Sequence, residues 1–144
     1  MPVQIGSASP AQIPAVLTFW REAAEVASST DDLPGLTALC AHDPGALLVA
    51  TDGDLIVGSL IASWDGWRAG LYRLAVLPSH RRRGVGRALV AEGESRLRRR
   101  GARRINLFAV ESHQGAVTFW NSLGYHHNAD DERFVRDLLE PPPT

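Results

Sequence analysis

The chain has 144 residues, of which 44% are hydrophobic and 22% charged, a composition typical of one globular domain and not of a disordered or fibrous protein. All fifteen basic residues are arginines, which excludes a Schiff-base enzyme, a P-loop nucleotide site and a protein kinase, because each of these needs a lysine. The net charge of −1 conceals a basic middle, since residues 71–109 contain eleven arginines against two acidic residues.

The first half of the chain predicts a strand, two helices and a β-hairpin from the spacing of its apolar residues and its turn residues. These elements are a strand at Val3–Ile5, an amphipathic helix from Ser9 to about Ala27, a short helix at Leu36–Cys40, and hairpin strands at Ala46–Thr51 and Leu55–Ser63. Residues 28–34 and 64–70 are predicted loops.

The second half predicts alternating strands and helices. They are a strand at Leu71–Leu77, a helix at Gly84–Arg100, a strand at Ile105–Ala109, a helix at His113–Leu123 and a last strand at Phe134–Leu138. The order β-α-α-β-β-β-α-β-α-β indicates one α/β or α+β layered domain, residues 1–144, around a single central sheet.

The segment after the strand Leu71–Leu77 carries the clearest chemical signal. Backbone N–H groups at a helix start have no partner within the helix and lie at the positive end of its dipole, so they bind anions. Gly84 and Gly86 allow a ligand to approach the backbone closely. Four arginines add positive charge, namely Arg81, Arg82, Arg83 and Arg87. We therefore expect a ligand that carries phosphate.

Two other interpretations of the basic segment are open. The glycines also fit an ordinary helix start. A Rossmann dinucleotide site fits them poorly, because residues 78–83 separate them from the strand and Leu89 stands at the position of that motif's third glycine. The later arginines are either a solvated helix face or additional anion-binding groups. They are Arg96, Arg98, Arg99, Arg100, Arg103 and Arg104.

The pattern Arg81-x-x-Gly84-x-Gly86 resembles the Q/R-x-x-G-x-G/A signature of the GNAT superfamily of acyl-CoA-dependent N-acyltransferases. The similarity extends over Leu74–Val90, over Ala116–Tyr125, and to the order of the predicted elements. The Asp65-Gly66 loop and the ending Leu123–His126 look most like the small bacterial YpeA-like branch. The resemblance implies a central mixed, mostly antiparallel sheet flanked by about four helices.

The resemblance also implies acetyl-CoA as cosubstrate, with no metal. Its pyrophosphate would contact Arg81 and the backbone amides of Arg82, Arg83, Gly84, Val85, Gly86, Arg87 and Ala88. Its pantetheine arm would run along Leu74, Ala75 and Val76 like an added strand. The thioester carbonyl would lie near the N–H of Val76, which would stabilise the negative charge that grows as an amine attacks.

Three positions depart from the family's pattern. Trp120 stands where many members place a proton-donating tyrosine, and an indole N–H is no acid near neutral pH. His113 replaces a frequent asparagine and is either a ligand contact or a surface residue at a helix start. The fourth strand lacks the glutamate that serves as base in some relatives, so the candidate bases are Asp65, His126 and water. Asp65 is also a predicted turn former, and His126 a structural residue of a strand.

Six further residues are candidates for the acceptor side. Tyr72, Arg73 and Asn106 are predicted to face the substrate gap, and Trp64 and Trp67 to line an acceptor pocket. Trp20 lies on the apolar stripe of the first helix and is expected in the core.

The favoured function is transfer of an acetyl group to a primary amine of a small molecule or protein. The alternative is a catalytically silent, acyl-CoA-binding regulatory domain. Nucleic-acid binding is disfavoured, because the arginine clusters lack interleaved aromatic residues. The lone Cys40, the lack of an apolar run of ~20 residues and the lack of a signal peptide predict a cytoplasmic protein that binds no membrane. A homodimer is left open.

Overall fold

The computed structural model of the protein describes residues 2–23, 28–108 and 115–138. The chain divides into two compact units, Met1–Phe108 and Ala109–Thr144. The first unit contains a five-stranded sheet. Its strands, in spatial order, are β1 (Gln4–Ser7), β2 (Leu47–Asp52), β3 (Leu55–Trp64), β4 (Ala69–Val76) and β5 (Ile105–Leu107). Neighbours from β1 to β4 are antiparallel, whereas β5 runs parallel to β4. The prediction of a mixed, mostly antiparallel sheet is confirmed.

Four α-helices lie within the described residues. They are α1 (Ile13–Glu22), α2 (Leu33–His42), α3 (Val85–Arg99) and, in the second unit, α4 (Ala116–Ser122). Helix α2 begins at Leu33, earlier than predicted, because the Asp32 carboxylate accepts the N–H of Gly35 at 2.8 Å and caps the helix. Strand β4 begins at Ala69 and so shortens the predicted loop by two residues.

The sheet of the first unit is covered on both faces. Helices α1 and α2 bury Val16, Trp20 and Leu36 in one cluster with Ile61 of β3. Adjacent strand residues point to opposite faces, and Leu60 meets α3 at Gly93, so α3 covers the other face. A Cβ on Gly93 would stand 3.0 Å from Leu60, so glycine at this position allows the close approach of helix and strand.

The predicted strand at Phe134–Leu138 is wrong. Within the described residues of the second unit, 125–138 form neither helix nor strand, and Phe134 is 88% exposed. An alternating apolar pattern is compatible with a strand, but a strand also needs a hydrogen-bonding neighbour, which the pattern does not specify. His126, expected in a strand, is likewise exposed and outside regular structure.

Three other predicted boundaries reach residues outside the described ranges. They are the predicted end of the first helix at Ala27, the predicted end of the fifth strand at Ala109 and the predicted start of the last helix at His113. Within the described residues, α1 ends at Glu22 and β5 at Leu107. The expectation that residues 1–144 act as one domain stays a prediction.

Candidate active site

The outer edge of β4 is open over half its length. Strand β5 pairs with β4 only from Ala69 to Leu71, so among the described residues the segment 72–76 has no strand partner on that side. On the other side, the N–H of Leu77 donates to Val57 of β3 at 2.9 Å. Successive N–H groups along a strand point in opposite directions, so the N–H of Val76 points toward the open edge.

A β-bulge lies in the same segment. Ser59 pairs with Ala75 and Ile61 with Tyr72, which places one extra residue on β4. Arg73 in this bulge has a φ of 57°, in the left-handed region. The hydroxyl of Ser59 donates to the carbonyl of Arg73 at 2.8 Å. Because a trans peptide directs its N–H opposite to its C=O, the N–H of Leu74 points away from β3, toward the open edge.

Buried contacts hold this bulge. The indole N–H of Trp20 donates to the Ser59 hydroxyl at 2.8 Å, and the two side chains are 4% and 0% exposed. The Arg73 guanidinium pairs with Asp31, which precedes α2, and lies 5.7 Å from the Trp20 ring centroid. Strained backbone persists where its surroundings over-determine it. The expectation that Trp20 lies in the core is confirmed, whereas the roles of Ser59 and Asp31 were missed.

The start of α3 is the segment predicted to bind an anion, and we call residues 81–88 the cradle. The first hydrogen bond of the helix joins the N–H of Ala88 to the carbonyl of Gly84 at 3.0 Å, so the N–H groups of Val85, Gly86 and Arg87 precede it. Gly84 has a φ of 79°, and no atom lies within 4 Å of where its Cβ would stand. The first turn contains no acidic residue. The cradle is therefore open and electropositive, as a phosphate requires.

The arginines of the basic segment divide into two groups. Arg81 donates through Nε to the carbonyl of Val76 at 3.1 Å and closes the loop onto β4. The side chains of Arg82, Arg83 and Arg87, within the cradle, are exposed.

Arg96 has neither of its two expected roles, since it is 8% exposed and pairs with the buried Asp43. Its position explains the difference, because it follows Gly93 by three residues and so shares the helix face that packs on the sheet. Arg98, Arg99, Arg100, Arg103 and Arg104 are exposed.

Asp65 lies in the exposed turn between β3 and β4. Its Oδ1 accepts the N–H groups of Arg68 at 2.6 Å and Trp67 at 2.7 Å, which confirms the predicted turn. These hydrogen bonds, that of Arg68 first, lower the pKa of the carboxyl group. A carboxylate with a lowered pKa is a weaker base than an ordinary aspartate. Trp67 is 73% exposed, and the Arg68 guanidinium lies 4.2 Å from its ring centroid.

The second unit contains Trp120 and His126. Trp120 is partly buried and makes edge-to-face contacts with Phe119 and Tyr125, at centroid distances of 5.2 and 5.1 Å. The N–H of Tyr125 donates to the Trp120 carbonyl at 3.1 Å. These contacts fix the indole within its own unit.

Within the described residues, no three His, Cys, Asp or Glu side chains are grouped so as to hold a metal ion. None of the helices there has the length and apolar character needed to cross a bilayer.

Comparison with known proteins decides the family. Residues 13–125 match the model of the acetyltransferase (GNAT) family. The chain belongs to this family. It is 31% identical over 110 residues to acetyltransferase SG1711 of Sodalis glossinidius, covering 76% of this chain and 78% of that protein. It is 32% identical over 111 residues to acetyltransferase ECA0875 of Pectobacterium atrosepticum, covering 77% and 79%.

The fold of this GNAT protein agrees with solved structures. The PaiA N-acetyltransferase of Thermoplasma acidophilum, in complex with coenzyme A, superposes with a TM-score of 0.77 at 17% identity, over 91% of this chain and 94% of that one. Ard1 of Thermoplasma volcanium gives 0.78 at 22% identity, over 90% and 86%. The expected fold and family are confirmed, and acetyl-CoA is the cosubstrate of GNAT acetyltransferases. The YpeA-like branch stays a prediction.

Proposed function

We propose that this GNAT protein transfers an acetyl group from acetyl-CoA to a primary amine of a small molecule or protein, by direct attack of the amine on the thioester. The observation that carries the proposal is the adjacency of two features, the open edge of β4 and the cradle that follows it in the chain. The edge offers the outward N–H of Val76, and the cradle offers the N–H groups of Val85, Gly86 and Arg87.

The chain supplies different interactions to different parts of acetyl-CoA. The cradle would receive the pyrophosphate, with Arg82, Arg83 and Arg87 adding charge. The pantetheine arm would run along Leu74–Val76 and accept hydrogen bonds from the outward N–H groups of Leu74 and Val76, beyond the end of the pairing with β5. The N–H of Val76 would donate to the thioester carbonyl and stabilise its negative charge as the amine attacks.

Proton transfer needs an acceptor for the proton of the amine and, where the thiolate is protonated as it leaves, a donor. The lowered pKa of Asp65 and its two backbone hydrogen bonds favour water over this carboxylate as the proton acceptor. The contributions predicted for His113, Trp120 and His126 stay predictions. Without a strong acid, the CoA thiolate would leave unaided, because a thiol pKa near ~8.5 makes it a tolerable leaving group.

Binding of the cosubstrate is tested by thermal unfolding. A ligand selective for the folded state stabilises it by mass action, by about 2.7 kcal/mol at a concentration of 100 Kd. We therefore expect acetyl-CoA at millimolar concentration to raise the Tm. Gly86→Val, which places a branched side chain in the cradle, should remove this effect, whereas Gly6→Val on the open surface of β1 should retain it. An unchanged Tm of the wild type would overturn the proposal.

Catalysis is tested by an amine library with release of the free CoA thiol as the readout. At least one primary amine should accelerate release above the rate of hydrolysis. If acetyl-CoA raises the Tm and no amine accelerates release, the silent regulatory domain is the correct alternative.

A further inference from the structure

His80 ties the loop between β4 and α3 to the far end of β2. Its Nε2 lies 2.9 Å from an Asp52 carboxylate oxygen and its Nδ1 lies 2.7 Å from the Ser79 hydroxyl. The imidazole is 11% exposed. Asp52 has its pKa lowered, first by the hydrogen bond from His80, and stays a carboxylate. With both ring nitrogens bonded, the imidazole has one fixed orientation.

The loop that follows His80 needs a firm attachment. Residues 78–80 form a short 3-10 turn, closed by the N–H of His80 on the carbonyl of Leu77 at 2.9 Å. Two residues later, Arg82 has a φ of 64°, a backbone angle that residues other than glycine rarely adopt. Such backbone is retained where contacts on both sides fix the chain. Helix α3 fixes it on one side, and the His80 contacts, together with the hydrogen bond from Arg81 to the carbonyl of Val76, fix it on the other.

We propose that His80, held by Asp52, is a positioning residue that sets the direction of the cradle N–H groups toward the pyrophosphate of acetyl-CoA. The inference rests on the proposed function, because it takes the cradle's ligand to be that pyrophosphate. His80 acts through the loop and touches no reacting atom. Loss of the His80 side chain would weaken binding of the nucleotide half of acetyl-CoA and leave binding of the pantetheine half unchanged.

Two substitutions of His80 separate its two contacts. The amide nitrogen of a glutamine stands near the place of Nε2 and reaches Asp52, whereas that of an asparagine stands near Nδ1 and reaches Ser79 alone. We expect His80→Asn to raise the Kd for CoA about tenfold or more, the range of a lost hydrogen bond to a charged group, and His80→Gln to stay close to the wild type. Asp52→Ala should behave like His80→Asn.

Matched controls lie nearby. Asp54→Ala removes an exposed carboxylate from the same hairpin, and His42→Asn removes an exposed histidine from the last turn of α2. Neither control should change the Kd for CoA.

The experiment measures binding of CoA and of pantetheine, which lacks the pyrophosphate, by calorimetry, and the ³¹P NMR shifts of bound CoA. His80→Asn and Asp52→Ala should weaken CoA, leave pantetheine unchanged and return the pyrophosphate resonances toward those of free CoA. Unchanged CoA binding, or equal weakening of both ligands, would overturn this inference and leave the proposed function standing. If His80→Asn does not fold, Asp52→Ala and His80→Gln decide by the same criteria. Failure of the wild type to bind CoA would overturn both proposals.

Discussion

Two arginine–aspartate pairs in the first unit have the same chemistry and different settings. In the Arg96–Asp43 pair the side chains are 9% and 5% exposed, and Arg96 also donates to the carbonyl of Ala62 at 2.7 Å. In the Arg73–Asp31 pair they are 20% and 11% exposed, and Arg73 lies on the strained bulge of β4. The first pair fastens α3 to the sheet, and the second holds the backbone of the candidate active site. The role of an ion pair therefore follows from the backbone that it restrains.

The largest effect is expected from breaking the more buried pair. Arg96→Met leaves the buried Asp43 carboxylate with the more exposed Arg100, 3.0 Å away, as its remaining ion-pair partner, so we expect a loss of about 3 kcal/mol in the free energy of unfolding, at the lower end of the range for a broken buried pair. Urea unfolding measures it. The control Arg99→Met removes an exposed arginine that lies 3.9 Å from Glu92 and should change stability by less than about 1 kcal/mol. Equal losses in the two variants would contradict the distinction between buried and exposed pairs.

The hydrogen-bond chain that supports the second pair gives the next largest effect. Ser59→Ala leaves the buried indole N–H of Trp20 without an acceptor, which should cost about 1–3 kcal/mol. The double variant Trp20→Phe with Ser59→Ala removes donor and acceptor together, so its loss should be smaller than the sum of the two single losses. Urea unfolding of all three variants completes the cycle, and additive losses would show that the two groups do not interact.

Breaking the second pair itself should affect catalysis more than stability. Arg73→Gly leaves the largely buried Asp31 carboxylate without its partner, but it also relieves a left-handed conformation that costs a residue with a side chain about 1–2 kcal/mol, so the loss in the free energy of unfolding should be smaller than that of Arg96→Met. A looser bulge should lower kcat about tenfold, because the N–H groups at the open edge lose their fixed direction. Steady-state kinetics with an amine from the library measures kcat. A large loss of stability with unchanged kcat would reverse the roles assigned to the two pairs.

The smallest effect is expected at Asp65, whose exposed carboxylate accepts backbone N–H groups. Its folded-state pKa is lowered, so its contribution to stability is present above the unfolded value near ~3.9 and is lost as pH falls through the folded value. Asp65→Asn should therefore unfold at a lower Tm than the wild type at pH 7, and the difference should shrink in acid. Tm measured from pH 7 to pH 3 tests the sign, and a difference that grows in acid would contradict it.

The sequence predicted the cradle because all of its parts are neighbours in the chain. Gly84, Gly86 and the arginines before them form one continuous segment, whose local geometry follows from residue type. The support of the bulge was not predicted, because Trp20 and Ser59 are 39 positions apart and Arg73 and Asp31 are 42 apart. Spacing within one element does not reveal such contacts. A signal was nonetheless present, since Ser59 interrupts the apolar run Leu55–Ala62 of β3 and a buried hydroxyl needs a partner.

The short pairing between β4 and β5 has a consequence for the resting protein. A strand edge with unused N–H and C=O groups is a template for another extended chain. Here the open edge begins at Tyr72, where the pairing of β4 with β5 ends, and it includes the segment proposed to bind the pantetheine arm. By filling that place the cosubstrate would also shield the protein from pairing with its own copies. A preparation kept with CoA should therefore aggregate more slowly than one kept without it, before any acceptor has been added.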